Sequence, residues 1–93
     1  MLVLAAILDL TETMGLKKTL QDALAKGDGL AVDAGAVSRV TSPCLQVLAA
    51  GVRTFTESGG PGLEIVAASD AFRDTASGLG LAPMLGLQEN NGG

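Results

Sequence analysis

Short apolar runs alternate along this chain with stretches whose apolar residues recur every three or four positions. The first run, Leu2–Leu8, is continuous and is typical of a strand covered on both faces. The pattern predicts these elements in order: a strand over Leu2–Leu8, a helix over Thr13–Lys26, a strand over Gly29–Asp33, a helix over Pro43–Glu57, a strand over Leu63–Ala68 and a helix over Ala71–Ser77. Each connection between strands is long enough for a parallel crossover through a helix. The sequence therefore predicts an α/β fold, with a small and mostly parallel sheet flanked by helices.

The length of 93 residues predicts one small domain. Gly27 follows the first helix as a C-cap glycine, and the run Ser58–Gly62 breaks the chain before the third strand. A last apolar turn is expected at Leu81–Leu87. The domain is therefore expected to span residues 1–87, with a flexible polar tail over residues 88–93.

Composition and charge narrow the classes of partner. Six Lys and Arg residues are scattered among ten Asp and Glu residues, and the net charge is −4. Nucleic-acid binding needs clustered cations, so we expect a protein partner and no nucleic acid. Asp9 interrupts the first apolar run too early for a membrane span, so no direct membrane insertion is expected. The single cysteine, Cys44, indicates a reduced, cytoplasmic protein.

The same inventory argues against catalysis. The chain has no histidine and one cysteine, which disfavours zinc, haem and histidine-based acid–base chemistry. Asp9 and Asp33 each follow a predicted strand, where paired carboxylates would suit Mg²⁺ or acid–base chemistry. Capping of the following helix or loop is the favoured interpretation of both. We therefore expect no enzymatic activity, no metal and no cofactor.

The segment Thr41-Ser42-Pro43-Cys44 is the most informative local motif. A hydroxyl residue before a proline predicts a helix start with Ser42 as the N-cap. A helix N-terminus also favours anions, so a phosphate on Ser42 would be stabilised there. Ser42 is thus either a structural cap or a switch, and Cys44 is either a small helix residue or a thiol activated by the helix start.

Three segments in order resemble the STAS domain family, which includes bacterial anti-sigma-factor antagonists. Residues 4–20, LAAILDLTETMGLKKTL, are similar to the family's strand, Leu-Asp pair and amphipathic helix. Residues 30–48, LAVDAGAVSRVTSPCLQVL, are similar to its second strand and the Asp-Ser-Ser-Gly-Leu loop that opens a helix. Residues 59–85 resemble the final strand, turn, short helix and Gly-Leu end.

The resemblance implies the functional residues. Ser42 falls on the family's phosphorylatable position, but Thr41 replaces the acid before it and Cys44 replaces the glycine of the loop. The loop and helix start form the partner-binding surface that the resemblance implies: Val37, Ser38, Arg39, Thr41, Ser42, Pro43, Cys44 and Gln46.

The implied function is regulatory. The resemblance points to a non-enzymatic bacterial signalling protein whose partner is an anti-sigma-factor kinase, or a histidine-kinase or response-regulator component of chemotaxis. An alternative within the family is a STAS subunit that supports the ATPase of an ABC-type lipid transporter. The family's usual first strand is missing ahead of Leu2, which predicts an exposed sheet edge that a homodimer or a partner could cover. The ending Gly92-Gly93 suits a sulfur carrier, but the element order favours a plain polar tail.

Overall fold

The computed structural model describes residues 1–87, so the predicted tail at 88–93 lies outside the described residues. The elements, in order, are β1 (Leu2–Val3), β2 (Ile7–Leu8), α1 (Leu10–Lys26), β3 (Leu30–Ala34), β4 (Arg39–Val40), α2 (Ser42–Glu57), β5 (Leu63–Ala68) and α3 (Asp70–Gly78). The predicted α/β class is confirmed: a small parallel sheet is flanked by three helices.

The strands form two parallel groups. One group has three strands in the order β1-β3-β5, and the other pairs β2 with β4. The predicted single strand Leu2–Leu8 is divided between the groups, because β1 runs beside β3 and β2 runs beside β4. The sequence did not predict β4, since a two-residue strand is too short to leave a recognisable apolar period.

The first helix begins three residues earlier than predicted. Asp9 is its N-cap, and the Asp9 carboxylate accepts a hydrogen bond from Glu12 N at 3.1 Å. This cap lets the helix include Leu10–Glu12, which the apolar pattern alone had left outside. Its end was predicted correctly: Gly27 has a φ of 74° and donates its N–H to Leu24 O. Such a positive φ suits glycine.

The second helix corrects the prediction that Ser42 is an N-cap. Ser42 is the first residue of α2, Pro43 is the second, and Thr41 occupies the N-cap position. Thr41 makes no side-chain capping bond, because its hydroxyl instead donates to Leu8 O at 3.1 Å. The cap position was misplaced by one residue because sequence alone does not show where the backbone leaves β4.

The buried apolar side chains are aliphatic apart from Phe55, Phe72 and Cys44, and the sequence has no tryptophan or tyrosine. Helices α1 and α2 pack against each other, α2 contacts β5, and α3 contacts β4. The two helices lie close together at Gly51, where an added Cβ would lie 3.0 Å from Leu20 Cδ1 and 3.4 Å from Leu63 Cδ1. A small residue at Gly51 therefore sets the spacing between the two helices.

Candidate functional site

The starts of α1 and α2 lie side by side at one end of the sheet. Strands β2 and β4 are parallel neighbours, with Ile7 opposite Arg39 and Leu8 opposite Val40. Each strand leads into its helix through one residue, Asp9 for α1 and Thr41 for α2. Both helix N-termini therefore lie at the carboxyl ends of these strands, which is where ligand sites of parallel sheets are usually found.

A compact set of hydrogen bonds holds the two starts together. Leu8 O accepts from both the N–H and the hydroxyl of Thr41, each at 3.1 Å. Asp9 O accepts from the N–H and the hydroxyl of Thr13, each at 3.0 Å. The Cys44 thiol lies 3.6 Å from Leu8 O and 3.5 Å from Asp9 O, and it also contacts the Thr13 hydroxyl. Cys44 on α2 is thus tied directly to the first turn of α1.

Cys44 and Val37 are corrections to the predicted partner-binding set. The Cys44 side chain is completely buried, and Val37 is 1% exposed. Neither side chain has surface to offer a partner, because both fill the core beneath the site. Burial also disfavours a redox role for Cys44, since reactive thiols lie in partly exposed, electropositive surroundings. Both side chains are part of the hydrophobic core beneath the exposed residues of the segment.

The loop before β4 is anchored at both ends. Asp33 accepts from Gly35 N at 2.8 Å, so its carboxylate caps the turn that begins the loop. Ser38 donates its N–H to Ala6 O at 2.7 Å and its hydroxyl to the same oxygen at 3.1 Å. The Ser69 hydroxyl, which caps α3, donates to Val37 O. The loop therefore carries exposed Ser38 and Arg39 on a fixed backbone.

The first turn of α2 is the most open part of the predicted surface. Ser42, Pro43 and Gln46 are exposed, and Thr41 is half-buried. This turn has no acidic residue and no side-chain cap, whereas α1 has Asp9 and Glu12 and α3 has a serine cap and an acid. Its positive dipole end is therefore not offset by any side chain of the helix itself.

An apolar groove runs between α1 and α2 and reaches this turn. Its volume is about 430 Å³. The residues that line it are Lys17, Leu20, Gln21, Leu24, Pro43, Gln46, Val47, Ala50, Gly51, Thr54 and Phe55. Only Pro43 and Gln46 belong to the predicted partner-binding set. The α2 residues among the others lie on the helix Pro43–Glu57, which the sequence predicts beside the docking face, whereas the α1 residues were not predicted as part of it.

Asp9 and Asp33, the two carboxylates considered as metal ligands, have structural roles in the described part of the chain. Asp9 caps α1 and Asp33 caps a turn, so each carboxylate serves the backbone beside it. Within residues 1–87, no group of three or more His, Cys, Asp or Glu residues is placed to hold a metal ion. Within the same residues, no helix is both long enough and apolar enough to cross a membrane.

A comparison with models of protein families identifies the family that the chain matches. The family model described as "Mlab, STAS domain" matches residues 1–87, which are all of the residues that the structure describes. Searches of curated proteins and of solved structures found no match to the chain.

Proposed function

This chain belongs to the STAS domain family, and on that premise we propose that it is a non-enzymatic regulatory protein that acts by binding another protein. STAS domains commonly mediate protein–protein interaction. The observation that carries the proposal is the continuity of two surfaces: Pro43 and Gln46 belong both to the exposed start of α2 and to the lining of the α1–α2 groove. One partner can therefore contact the helix start and fill the groove together.

The groove suits an apolar element of a partner. Leu20, Leu24 and Val47 contribute apolar surface, and Lys17 and Gln21 add polar groups along the α1 side. A groove between two helices, with a few polar groups at its rim, is a common receptor for an amphipathic helix. By family resemblance, the partner is an anti-sigma-factor kinase, or a histidine-kinase or response-regulator component of a chemotaxis-like system.

Ser42 is the proposed control point of this surface. It is exposed, it is the first residue of α2, and it adjoins Pro43 at the rim of the groove. A phosphate there would add a charge of about −1.5 to −2 beside a helix N-terminus that lacks acidic side chains. The helix dipole would stabilise that charge, and the same charge would repel an acidic partner surface.

A second candidate is a STAS subunit that supports the ATPase of an ABC-type lipid transporter, with no obligatory phosphorylation. Thr41 favours it. By family resemblance, this position often carries an acid that assists phosphoryl transfer. In this chain it is a threonine, and the Thr41 hydroxyl donates a hydrogen bond to Leu8 O. A docking surface that works without a phosphoryl switch would tolerate this replacement.

The groove is tested by adding a charge to its wall. Ala50→Glu places a carboxylate in the groove at an exposed position, and Ala25→Glu makes the same change on α1 outside it. Tagged wild-type protein and both variants are used for affinity purification from the native lysate. We expect a kinase-type regulator to be retained by the wild type and by Ala25→Glu and lost with Ala50→Glu. An ABC-type ATPase with that profile would support the second candidate, and equal retention by all three proteins would contradict docking in the groove.

The control point is tested separately. Intact-mass measurement of protein from its native cell should show a phosphorylated fraction that disappears in Ser42→Ala. Ser42→Asp should weaken partner retention, because it places a negative charge at the rim. An unmodified Ser42 under all growth conditions, together with normal retention by Ser42→Asp, would leave the docking proposal standing and remove the switch.

A further inference from the structure

The face of α1 that borders the α1–α2 groove carries exposed apolar side chains. Four residues at spacings of four, three and four positions share this face: Leu10, Met14, Lys17 and Gln21. Lys17 and Gln21 line the groove. Leu10 and Met14 are 67% and 72% exposed, and of the large apolar side chains in residues 1–87 only Met1 is more exposed. Exposed large apolar side chains that adjoin a groove are typical of an interaction surface.

The two helices run side by side in the same direction. Thr13 contacts Cys44, and an added Cβ at Gly51 would lie 3.0 Å from Leu20 Cδ1. Both pairs are 31 positions apart in the sequence, so the two helices keep one alignment along their length. In this alignment Met14 lies beside the first turns of α2, and Leu10 lies one turn earlier. These two side chains therefore extend the apolar surface of the groove at the end where α2 begins.

Lys17 has a positive charge that no neighbouring acid on α1 offsets. On a helix the neighbouring side chains are three or four positions away, and for Lys17 these are Thr13, Met14, Leu20 and Gln21. Lys18, by contrast, has Asp22 four positions later. Of the residues that line the groove within residues 1–87, Lys17 alone is charged. The groove is therefore positive on its α1 side, although the chain has a net charge of −4.

The walls of the groove suit a helix better than an extended segment. Both walls are helices, whose backbone N–H and C=O groups bond within the helix, so a strand would gain no main-chain hydrogen bonds there. Proline-rich segments need exposed aromatic surface, whereas Phe55, the one aromatic side chain in the described lining, is 2% exposed. From Pro43 to Phe55, α2 rises by about 18 Å, which is the length of about three helical turns.

We propose that the segment that docks in the α1–α2 groove is an amphipathic helix with an acidic side chain at one edge of its apolar face, placed beside Lys17. This inference rests on the proposed function and specifies the chemistry of the partner. The apolar face of the helix covers Leu10 and Met14 as well as the groove. The acid forms an ion pair with Lys17, so a lysine at the same place in the partner is repelled.

Charge also disfavours two other occupants. A second copy of the chain would bring this face against itself. As far as the structure describes them, the groove lining and its extension at Leu10 and Met14 offer Lys17 but no carboxylate to pair with it. An anionic membrane attracts clusters of cations, whereas this surface has one lysine on a chain with a net charge of −4. A separate protein helix that supplies the acid fits both the shape and the charge.

Two model peptides test the charge of the partner helix. Both are capped at their ends, are about 18 residues long and have leucines recurring every three or four positions. They differ only in glutamate or lysine at the positions that flank the leucines. Fluorescence anisotropy at low ionic strength measures their binding to the full chain. We expect the wild type to bind the glutamate peptide about threefold more tightly than the lysine peptide, because an exposed ion pair contributes modestly.

Two variants with the same change of charge locate this preference. Lys17→Glu should reverse it, because the charge beside the docked helix is then negative. Lys18→Glu makes the same change one position away, outside the groove lining, and should retain it. Equal binding of the two peptides, a preference that both variants lose alike, or no binding of either peptide would overturn the proposal. Loss of the native partner with Ala50→Glu would still support docking in the groove, so the two failures are distinguishable.

Met14→Gln tests whether the helix extends over the start of α1. The change keeps the length of the side chain and a similar helix propensity but removes its apolar end. We expect the glutamate peptide to bind about fivefold more weakly, because less apolar surface is buried. Met84→Gln makes the same change in the turn after α3, at a methionine that is 39% exposed, and should leave the affinity unchanged. Equal affinities of Met14→Gln and the wild type would overturn the placement of the helix and with it the proposal.

Discussion

The starts of α1 and α2 are neighbours at the end of the same pair of strands, yet they are built differently. Helix α1 begins with Asp9 as its cap and has Glu12 in its first turn. Helix α2 begins at Ser42 with neither a side-chain cap nor an acid. Its Thr41 hydroxyl is used on Leu8 O, one strand away. The backbone N–H groups at the start of α1 are capped by a neighbouring side chain, whereas the start of α2 is held in place by contacts with the rest of the fold.

This difference explains why the start of α2 suits a changeable surface and the start of α1 does not. The α1 start has its dipole offset and its backbone capped from within. The α2 start is held from beneath by the buried Cys44, and its exposed side is left open beside the α1–α2 groove. A helix start that is anchored from below and uncapped above can change its surface chemistry without losing its position.

The largest expected effect comes from the buried side of α2. Leu48 is completely buried, so Leu48→Ala should lower the free energy of unfolding by about 3 kcal/mol through lost burial and a residual cavity. Gln46→Ala, on the exposed side of the same helix, should change it by less than about 0.5 kcal/mol. Urea denaturation followed by circular dichroism measures both. Similar losses would mean that α2 is not held mainly from its core side.

The next effect separates the two caps. Asp9→Ala removes the carboxylate that accepts from Glu12 N and should cost about 1 kcal/mol. Ser42→Ala should cost less than about 0.5 kcal/mol, because Ser42 lies inside α2 and is not its N-cap. Thermal or urea unfolding of the two variants provides the comparison. If Ser42→Ala were as costly as Asp9→Ala, the serine would have a capping role after all.

Removing the Thr13 hydroxyl, which links the starts of α1 and α2, should lower the free energy of unfolding by about as much as Asp9→Ala does. Thr13→Val keeps the shape but removes a buried hydroxyl that contacts Asp9 O and Cys44, and it should cost about 1 kcal/mol. Thr19→Val is a matched control, because the Thr19 hydroxyl also donates to a carbonyl four residues earlier but is exposed. We expect Thr19→Val to be nearly neutral in the same unfolding measurement. Equal costs would show that the contact with α2 contributes nothing.

The smallest expected effect concerns the N-terminal dipole of α2, which no acidic side chain of the helix offsets. Ser42→Asp adds an acid to the first turn and should raise the free energy of unfolding by about 0.5 kcal/mol at low ionic strength. Ser58→Asp, at the other end of the helix, should lower it, because the dipole is negative there. Both changes should shrink in 1 M salt. A destabilising Ser42→Asp would mean that the α2 start already has its dipole offset.

The sequence was accurate where a feature depends on a long local pattern. The strand Leu63–Ala68 was predicted with its observed bounds, and α2 ended at Glu57 as expected. It failed where a feature depends on distant residues. Strand β4 is two residues long and is recognisable only by its pairing with β2. Val37 and Cys44 look like part of an exposed loop and helix start, but the fold buries both.

The candidate site divides in the same way. Pro43 and Gln46 were predicted because the helix start is visible in the sequence, and they line the groove. Leu20 and Leu24 recur at helical spacing on one face of the first helix, and nothing in the sequence indicates that this face also borders a groove. The groove is lined by residues of both α1 and α2, so it is a property of the packed pair of helices and not of either helix alone.

The sequence by itself determined the α/β class, the three helices and the family resemblance, because apolar periods and breaks are local and survive without tertiary contacts. Only the tertiary structure decided which residues of the Thr41–Cys44 segment face solvent and where a groove opens. Those properties depend on which backbone and side-chain groups already have partners. Thr41 and Cys44, for example, direct their side chains to Leu8 O, whereas Ser42 and Pro43 between them stay exposed.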